Sequence, residues 1–249
     1  MNHLQRTPYS TLNIKLKRMA IMLTPAMEDY LKTIYQLEQE QGSVSTSKLA
    51  EHMNYRAGSV TGMIKKLAKL KMVEYERYRG VRLTAAGEQA ALETLRHHRL
   101  LELFLTEILG FSWDEVHEEA DKLEHHISEA LEARICATLG NPTHDPHGDP
   151  IPTLSGELPK LVGYSLTKLK EGDSGIIARV LTQDDEVLRY LRELGLALHV
   201  EVKVLSLAPI GGTLTLCVEG KHQITMAREI GGRLMVLPIP QEKTQPAPS

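Results

Sequence analysis

Cysteine, aromatic residues and long hydrophobic runs are all scarce in this sequence of 249 residues. Two cysteines, Cys136 and Cys217, are too few for a disulfide framework or a four-cysteine zinc site. No apolar run approaches the roughly 18 residues that a membrane-spanning helix needs. The basic segment Met1–Met22 has a short apolar stretch without a small-residue cleavage site, which argues against a secretory signal. We therefore expect a cytoplasmic protein with no membrane partner.

Charge is plentiful, and its two signs are separated along the chain. Residues 1–83 carry 14 basic and 7 acidic side chains, whereas residues 84–140 carry 4 basic and 12 acidic ones. Residues 141–249 are nearly balanced, with 11 basic and 13 acidic side chains. This order predicts a polyanionic partner at the N-terminal end and a cation site in the acidic segment that follows.

Hydrophobic periodicity predicts an α+β protein of three domains. Residues 24–84 have the element order of a winged helix-turn-helix. Residues 85–157 form an all-α domain that ends in a Pro- and Gly-rich segment, and residues 158–238 change to the period of two expected for a small β-barrel. The ends, 1–23 and 239–249, are expected to be flexible. Helices are predicted over 25–40, 46–53, 57–69, 84–109 and 185–194, with one or two over 113–139. Strands are predicted over 73–78, 81–83, 176–181, 200–207, 213–218 and 233–237.

The helix predicted over 57–69 has the features of a DNA-reading helix. Its N-terminal residues are small or carry hydroxyls, so its backbone N–H groups can approach phosphate and Ser59 and Thr61 can bond bases or phosphates. The strands predicted over 73–78 and 81–83 form a two-stranded ribbon. Arginines on this ribbon, Arg82 among them, can contact phosphate or the minor groove. A solvated basic surface on an interaction module is the alternative. The residues predicted to bind DNA are Arg56, Ser59, Thr61, Lys65, Lys66, Arg77 and Arg79.

Five of the eleven histidines lie in the acidic segment, between His97 and His126. His98 and Glu102 are four residues apart and share a helix face. Asp121, Glu124 and His125 have the spacing i, i+3, i+4, which predicts a second shared face, and His117 lies one turn before Asp121. Carboxylates with imidazole are ligands for a divalent metal ion. Solvated, salt-bridged helix faces are the alternative, and we expect His97 and His126 to point elsewhere.

Four stretches resemble the diphtheria-toxin-repressor family of metal-dependent transcriptional repressors. They are TPAMEDYLKTIY at Thr24–Tyr35, HRLLE at His98–Glu102, EHHIS at Glu124–Ser128 and DPHGDPIP at Asp145–Pro152. The resemblance extends from about Thr24 to Leu237. It implies a winged helix, a helical metal-binding and dimerisation domain, and an SH3-like (FeoA-like) C-terminal domain. It also implies a repressor, not an enzyme, that binds a palindromic operator in double-stranded DNA as a homodimer.

The resemblance also implies two metal sites. The primary, activating site would use Asp29, Asp121, Glu124 and His125. The ancillary site would use His98, Glu102 and His117, with donors from the C-terminal domain. The matching stretch of that domain is Gln183–Glu186, in which Asp185 and Glu186 are the predicted donors.

The resemblance favours Mn²⁺ as the cofactor, with Fe²⁺ as the alternative. Iron-responsive members have methionine in place of Asp29 and cysteine in place of Asp121, whereas manganese-responsive members have oxygen donors at both positions. The short manganese regulators lack the third domain and have glutamate in place of Lys32, so a two-manganese cluster of their kind is not expected. Zn²⁺ or Co²⁺ can bind in vitro because intrinsic affinities follow a general order.

Three other functions stay open from the residues alone. Aspartate, glutamate and histidine also build metallohydrolases, although the chain has neither an H-E-x-x-H motif nor a nucleophile elbow. A winged-helix regulator could instead sense an organic ligand. A metal-buffering protein is suggested only by the C-terminal pattern and leaves the basic helix unexplained. The C-terminal domain itself either tunes the metal response or simply stabilises the protein.

Overall fold

The computed structural model describes residues 23–76, 79–161, 163–208 and 212–240. Most of both predicted flexible ends, and Arg77, therefore lie outside the described residues. The described chain forms two compact units. The first contains the residues up to His97 with the segments Glu124–His126 and Pro152–Glu157, and the second contains His98–Leu123, Ile127–Ile151 and the residues from Leu158 onward. No helix among the described residues has the length and apolar character needed to cross a bilayer.

The first unit begins with the elements of a winged helix. These are α1 (Pro25–Gln41), α2 (Thr46–His52), α3 (Ala57–Lys69), β1 (Val73–Glu76) and β2 (Gly80–Leu83), after which α4 (Ala85–Leu109) starts. Strands β1 and β2 pair antiparallel as a two-stranded sheet. The core of this winged helix is apolar. Its fully buried side chains come from α1, α2, α3 and the β1–β2 ribbon: Leu31, Ile34, Leu49, Val60, Ile64, Leu67 and Val81.

Local capping chemistry explains where these helices start. Thr24 precedes Pro25, whose fixed φ suits the first helical position, and the Thr24 carbonyl accepts the first backbone hydrogen bonds of α1. The Ser45 hydroxyl accepts a hydrogen bond from the Lys48 N–H at the start of α2. At the start of α4, a Cβ on Gly87 would lie 2.0 Å from the Met72 carbonyl oxygen. Only glycine permits that approach.

The second unit combines the rest of α4 with two short helices and a β-sheet. The helices are α5 (Val116–Leu123) and α6 (Glu129–Thr138). The later elements are β3 (Tyr164–Ser165), β4 (Ser174–Val180), α7 (Asp185–Glu193), β5 (Glu201–Leu207), β6 (Thr213–Val218), β7 (His222–Ala227), α8 (Arg228–Gly232) and β8 (Leu234–Ile239). The sheet is antiparallel, with the strand order β3-β8-β4-β5-β6-β7.

Alternating inward residues of this sheet pack against α7 to form a buried core. It includes Ile177, Leu188, Leu191, Val204, Leu216 and Val236, and each large apolar side chain buried in this way contributes about 1.5–3 kcal/mol. Trp113, which precedes α5, belongs to the same core. A second, smaller core joins Leu100 and Leu101 of α4 with Ala120 of α5 and Ile135 of α6.

The structure corrects several predicted elements. Helix α5 ends at Leu123, so Glu124 and His125 lie in the turn that follows and do not share a helix face with Asp121. Gly80 belongs to β2 and not to the turn, and β8 continues to Ile239. Strands β3 and β7 were not predicted, because β3 has only two residues and β7 buries only two side chains.

Candidate metal centres and nucleic-acid interface

The first candidate centre joins α1 to the turn after α5, within the first unit. His125 Nε2 lies 2.8 Å from Asp29 Oδ1 and 3.3 Å from Glu124 Oε1. Its other nitrogen, Nδ1, lies 2.6 Å from Glu28 Oε2. Asp29, Glu124 and His125 each offer a donor atom within 4.8 Å of the others, which is the spacing of a metal site. We call these three residues the Asp29 cluster.

Two positive charges sit within this group of carboxylates. The pKa of His125 rises to about 10 because its ring hydrogen-bonds Asp29 and Glu28, although burial acts in the opposite direction. Lys32 Nζ lies 2.7 and 2.9 Å from the two oxygens of Glu124, whose side chain is fully buried. A buried carboxylate requires such pairing. The cluster is thus built to be neutralised by cations.

The second candidate centre surrounds Glu102, which is fully buried in the second unit. Its Oε1 lies 2.9 Å from His98 Nε2 and 3.1 Å from His117 Nδ1. On the other side, Glu102 Oε2 lies 3.8 Å from His147 Nδ1 and has no hydrogen-bond partner in the described chain. His98 with His117, and Asp145 with His147, each complete a three-residue metal-ligand geometry with Glu102. We call these five residues the Glu102 cluster.

Burial and the close contact of carboxylates with imidazoles shift the pKa values of the Glu102 cluster. Burial opposes ionisation of Glu102, but His98, His117 and His147 together hold its pKa well below the usual value. Burial disfavours the charged form of His147, yet Glu102 and Asp145 outweigh it and raise its pKa to about 9. Burial, followed by the charge of Glu102, raises the pKa of Asp145 to about 7. The unpartnered Glu102 oxygen and the N/O donor set both fit a divalent ion.

A tight turn on a strand bulge holds the Asp145 side of this cluster. Asp145 Oδ1 accepts hydrogen bonds from the backbone N–H groups of His147 and Asp149. The His147 carbonyl accepts from the N–H of Val180 in β4, where the pairing with β8 shifts between Ile177 and Arg179. Bulges of this kind re-aim side chains. Here Arg179 follows the bulge, and its Nη2 lies 2.5 Å from Asp149 Oδ1.

Three predicted acidic ligands lie in the second unit. Asp121, a predicted primary ligand, lies 3.1 Å from His98 Nδ1 and 3.6 Å from His117 Nε2. Asp185 and Glu186 occupy the first turn of α7, which Asp184 caps. Neither has a hydrogen bond or ion pair to His98, Glu102 or His117 in the described chain. The roles of these acids stay predictions.

The predicted DNA-binding residues that the structure describes lie on α3 and the ribbon. Arg56, Ser59, Lys65 and Lys66 are exposed, as an interface with DNA requires. Thr61 is half-buried, and its hydroxyl donates to the Ala57 carbonyl. On the ribbon, Arg79 is exposed and lies 3.1 Å from Glu76. On the opposite face of α3, Val60, Ile64 and Leu67 are buried, so the polar face is left for a partner.

Sequence reasoning missed three residues of these centres. Glu28 precedes Asp29 within the quoted TPAMEDY stretch, and only Asp29 was predicted as a ligand. Asp145 and His147 lie in the quoted DPHGDPIP stretch, but no helical spacing links them to Glu102. The signal was present as an acid and a histidine two residues apart in a Pro- and Gly-rich loop.

Comparisons with known proteins identify a DNA-binding domain, a metal-binding and dimerisation domain, and a FeoA domain in this chain. Residues 22–81 match the iron dependent repressor N-terminal DNA binding domain, residues 84–153 its metal binding and dimerisation domain, and residues 164–238 the FeoA domain. The iron-dependent repressor IdeR of Mycobacterium bovis is 30% identical over 226 residues, which cover 86% of this chain and 97% of the relative.

The chain belongs to the diphtheria-toxin-repressor family. As a member, it is a metal-dependent transcriptional repressor, not an enzyme, and it binds operator DNA as a homodimer. As a repressor of this family, it is a cytoplasmic protein. The family architecture is the α+β one described above, with the β-rich SH3-like FeoA domain at the C-terminal end.

Manganese and iron regulators both occur among the relatives within the family. A solved manganese-dependent transcriptional repressor in complex with manganese is 37% identical, with a TM-score of 0.77, and the match covers 86% of this chain and 100% of that one. The regulator MntR of Shouchella clausii is 42% identical over 107 residues, which cover 43% of this chain and 74% of the relative. ScaR with bound Cd²⁺ is 31% identical, with a TM-score of 0.71, over 86% of this chain and 99% of that chain.

Proposed function

We propose that the protein is a Mn²⁺-responsive repressor that controls genes of metal-ion homeostasis. The observation that carries this proposal is the donor set of the Asp29 cluster. Asp29, Glu124 and His125 offer oxygen and nitrogen but no sulfur, and hard oxygen donors suit Mn²⁺ better than soft thiolate ligands would. A divalent ion bound there supplies the positive charge that lets the carboxylates stay together.

Lys32 favours a single ion in the Asp29 cluster. Its ammonium contacts both oxygens of Glu124 and supplies one positive charge from within the protein. A second divalent ion would have to compete with this ammonium for the same carboxylate. We propose that the Glu102 cluster is the ancillary centre, with His147 and Asp145 as additional donors beside His98, Glu102 and His117.

A chain of contacts connects the Asp29 cluster with the DNA-reading surface inside the first unit. Asp29 is followed in α1 by buried Tyr30, whose ring lies 6.1 Å from that of Tyr55. Tyr55 directly precedes Arg56, the N-cap of α3. Further along α1, the Glu38 carboxylate accepts a hydrogen bond from the Leu83 N–H of the ribbon. Fixing α1 against Glu124 and His125 would therefore bias both DNA-contacting elements, which is a population shift.

An Fe²⁺-responsive repressor is the second candidate. It is favoured by the similarity to an iron-dependent repressor along nearly that relative's whole length. The donor set of the Asp29 cluster opposes it, because the same oxygen and nitrogen atoms would then have to select the softer ion.

The deciding experiment measures operator binding against free metal concentration. Fluorescence anisotropy would follow DNA from the protein's own upstream region and from metal-transporter promoters, at fixed salt, with chelator, Mn²⁺ or anaerobic Fe²⁺. We expect tight binding only with metal, at a lower free concentration of Mn²⁺ than of Fe²⁺. The reverse order would replace manganese by iron, and equal binding with chelator would favour a sensor of an organic ligand.

The variant Asp29→Ala tests the assignment of the Asp29 cluster. Asp29 is only half-buried, so its loss should leave the fold intact, as checked by circular dichroism. We expect Asp29→Ala to lose metal-dependent operator binding. If the folded variant still requires metal and responds at the wild-type concentration, the cluster is not the activating site.

A further inference from the structure

We propose that Trp113 is a positioning residue for a metal ligand, because it holds the His147 imidazole so that Nδ1 faces the ion site beside Glu102. The inference rests on the proposed function in one respect, namely that the Glu102 cluster binds a divalent ion. It assigns a role to the only tryptophan of the chain.

The geometry at His147 decides which of its nitrogens is available. The Trp113 carbonyl oxygen lies 2.9 Å from His147 Nε2. A carbonyl can only accept, so Nε2 keeps its hydrogen and Nδ1 is the nitrogen left for a ligand bond. That atom faces Glu102 Oε2, which has no hydrogen-bond partner in the described chain. An outer partner that fixes the ligand tautomer in this way is typical of metal-binding histidines.

The indole adds a second constraint on the same ring. It stacks on the imidazole with a centroid separation of 5.9 Å and an interplanar angle of 13°. The Trp113 Nε1 atom is buried and has no hydrogen-bond partner among the described residues. A phenylalanine or leucine would fill the core without burying an unsatisfied N–H. The stack on His147 gives the indole a role that core filling does not explain.

Trp113 is itself held in place by residues of the C-terminal domain. It shares a buried core with Leu188 of α7. The adjacent Asp114 is almost fully buried, and its carboxylate lies 2.6 Å from Arg192 Nη1 and 3.5 Å from Arg189 Nε of the same helix. His147 is therefore held by a residue that belongs to the FeoA domain's core, so occupancy of the Glu102 cluster and the packing of that domain are coupled.

The emission of Trp113 should report metal at the Glu102 cluster and not at the Asp29 cluster. The full-length metal-free protein is titrated with Mn²⁺ while tryptophan emission is recorded. We expect a saturable change in the wild type and in Asp29→Ala, and none in Glu102→Gln. Asp145→Asn serves as a second cluster variant in case Glu102→Gln does not fold, and there the midpoint should move to higher Mn²⁺ concentration.

Three results would overturn the inference: wild-type emission unchanged by Mn²⁺, a response that Asp29→Ala abolishes, or a response that both folded cluster variants keep at wild-type concentration. Fluorescence anisotropy of operator DNA with the same samples measures the proposed repressor function separately. It therefore distinguishes a failure of the Trp113 inference from a failure of the proposed function. Metal-dependent operator binding with silent tryptophan emission leaves the repressor function standing and removes the role of Trp113.

Substitution of Trp113 tests positioning directly. Trp113→Phe keeps an aromatic ring against His147, whereas Trp113→Leu keeps only apolar volume. Competition with a fluorescent chelator for Mn²⁺, in the Asp29→Ala background, isolates the Glu102 cluster. Both variants keep the backbone carbonyl that faces His147 Nε2, so they test the indole stack alone. We expect Trp113→Leu to bind Mn²⁺ about 10-fold more weakly, at the lower end of such outer-partner effects, and Trp113→Phe to recover most of the affinity at a similar melting temperature. Equal affinity of the two variants would leave Trp113 a structural residue only.

Discussion

At the scale of single residues, the surroundings of the His125 ring explain the arrangement of the Asp29 cluster. Both of its ring nitrogens face carboxylates, Asp29 on the Nε2 side and Glu28 on the Nδ1 side. A ligand histidine needs one free nitrogen and one that donates to an outer acceptor, which fixes its orientation. Asp29 and Glu28 therefore have different roles although they are neighbours in α1. In the proposed site, Asp29 would supply a ligand and Glu28 would orient the ring.

We predict that Glu28→Ala lowers Mn²⁺ affinity at the Asp29 cluster by about 10- to 100-fold, because the His125 ring loses its outer acceptor. Glu28→Gln, which keeps an acceptor oxygen but no charge, should lose less. Competition with a fluorescent chelator measures both variants. Glu118→Ala removes one exposed carboxylate elsewhere and serves as the control. If Glu28→Ala and Glu118→Ala bind Mn²⁺ alike, Glu28 does not orient the ligand.

Residue patterns predicted part of these centres, and the reason for the rest is physical. His98 and Glu102 could be paired from sequence because helix spacing fixes their proximity, and the structure joins them at 2.9 Å. The spacing of Asp121 with Glu124 and His125 predicted a shared helix face, but α5 ends between them. No local periodicity relates His147 to Glu102, because their proximity depends on a turn that is held by a distant strand.

At the scale of elements, the Asp145–Asp149 turn depends on how closely it approaches β4. Gly148 has a φ of +83°, and a Cβ there would lie 2.2 Å from the Ala178 carbonyl oxygen at the bulge. Only glycine combines that φ with that approach. The same feature holds the His147 backbone against β4, so the geometry of the Glu102 cluster rests on a residue that has no side chain.

We predict that Gly148→Ala destabilises the protein more than Gly172→Ala does. Gly172 has a φ of +90°, and a Cβ there would meet no atom within 4 Å, so its variant isolates the backbone cost of about 1–2 kcal/mol. Gly148→Ala adds a steric clash to that cost, and each further kcal/mol lowers the apparent melting temperature by about 2–4 °C in a chain of this size. Equal losses on thermal unfolding would mean that the turn moves away freely.

The long elements followed from local signals, and the short ones depended on tertiary contacts. The helix Ala57–Lys69 was predicted with its observed bounds because its apolar residues keep strict helical spacing. Strand β7 was missed because only Ile224 and Met226 turn inward, and pairing with β6 supplies the rest of its order. The three domain ranges remain a prediction, since the compact units of the structure divide the chain inside α4.

For the whole molecule, metal and DNA binding are thermodynamically linked. Tyr30 follows Asp29 in α1, and its ring pairs with that of Tyr55, just before α3. This gives the first unit a physical route from the Asp29 cluster to the start of α3. If metal favours the DNA-competent form, operator DNA must favour metal by the same factor, because coupling free energies are reciprocal. A coupling of about 1–3 kcal/mol corresponds to a 5- to 150-fold change in either affinity.

We predict that chelator weakens operator binding by about 5- to 150-fold at fixed salt, and that saturating operator DNA raises Mn²⁺ affinity by the same factor. Anisotropy measures the first change, and chelator competition with and without operator measures the second. Non-specific DNA of equal length is the control, because its phosphates attract the basic surface without selecting one arrangement of α3. A large chelator effect with no return effect of operator on Mn²⁺ affinity cannot come from reversible linkage. Chelator would then act through an irreversible loss of protein, such as aggregation of the metal-free form, and not on the DNA-competent form.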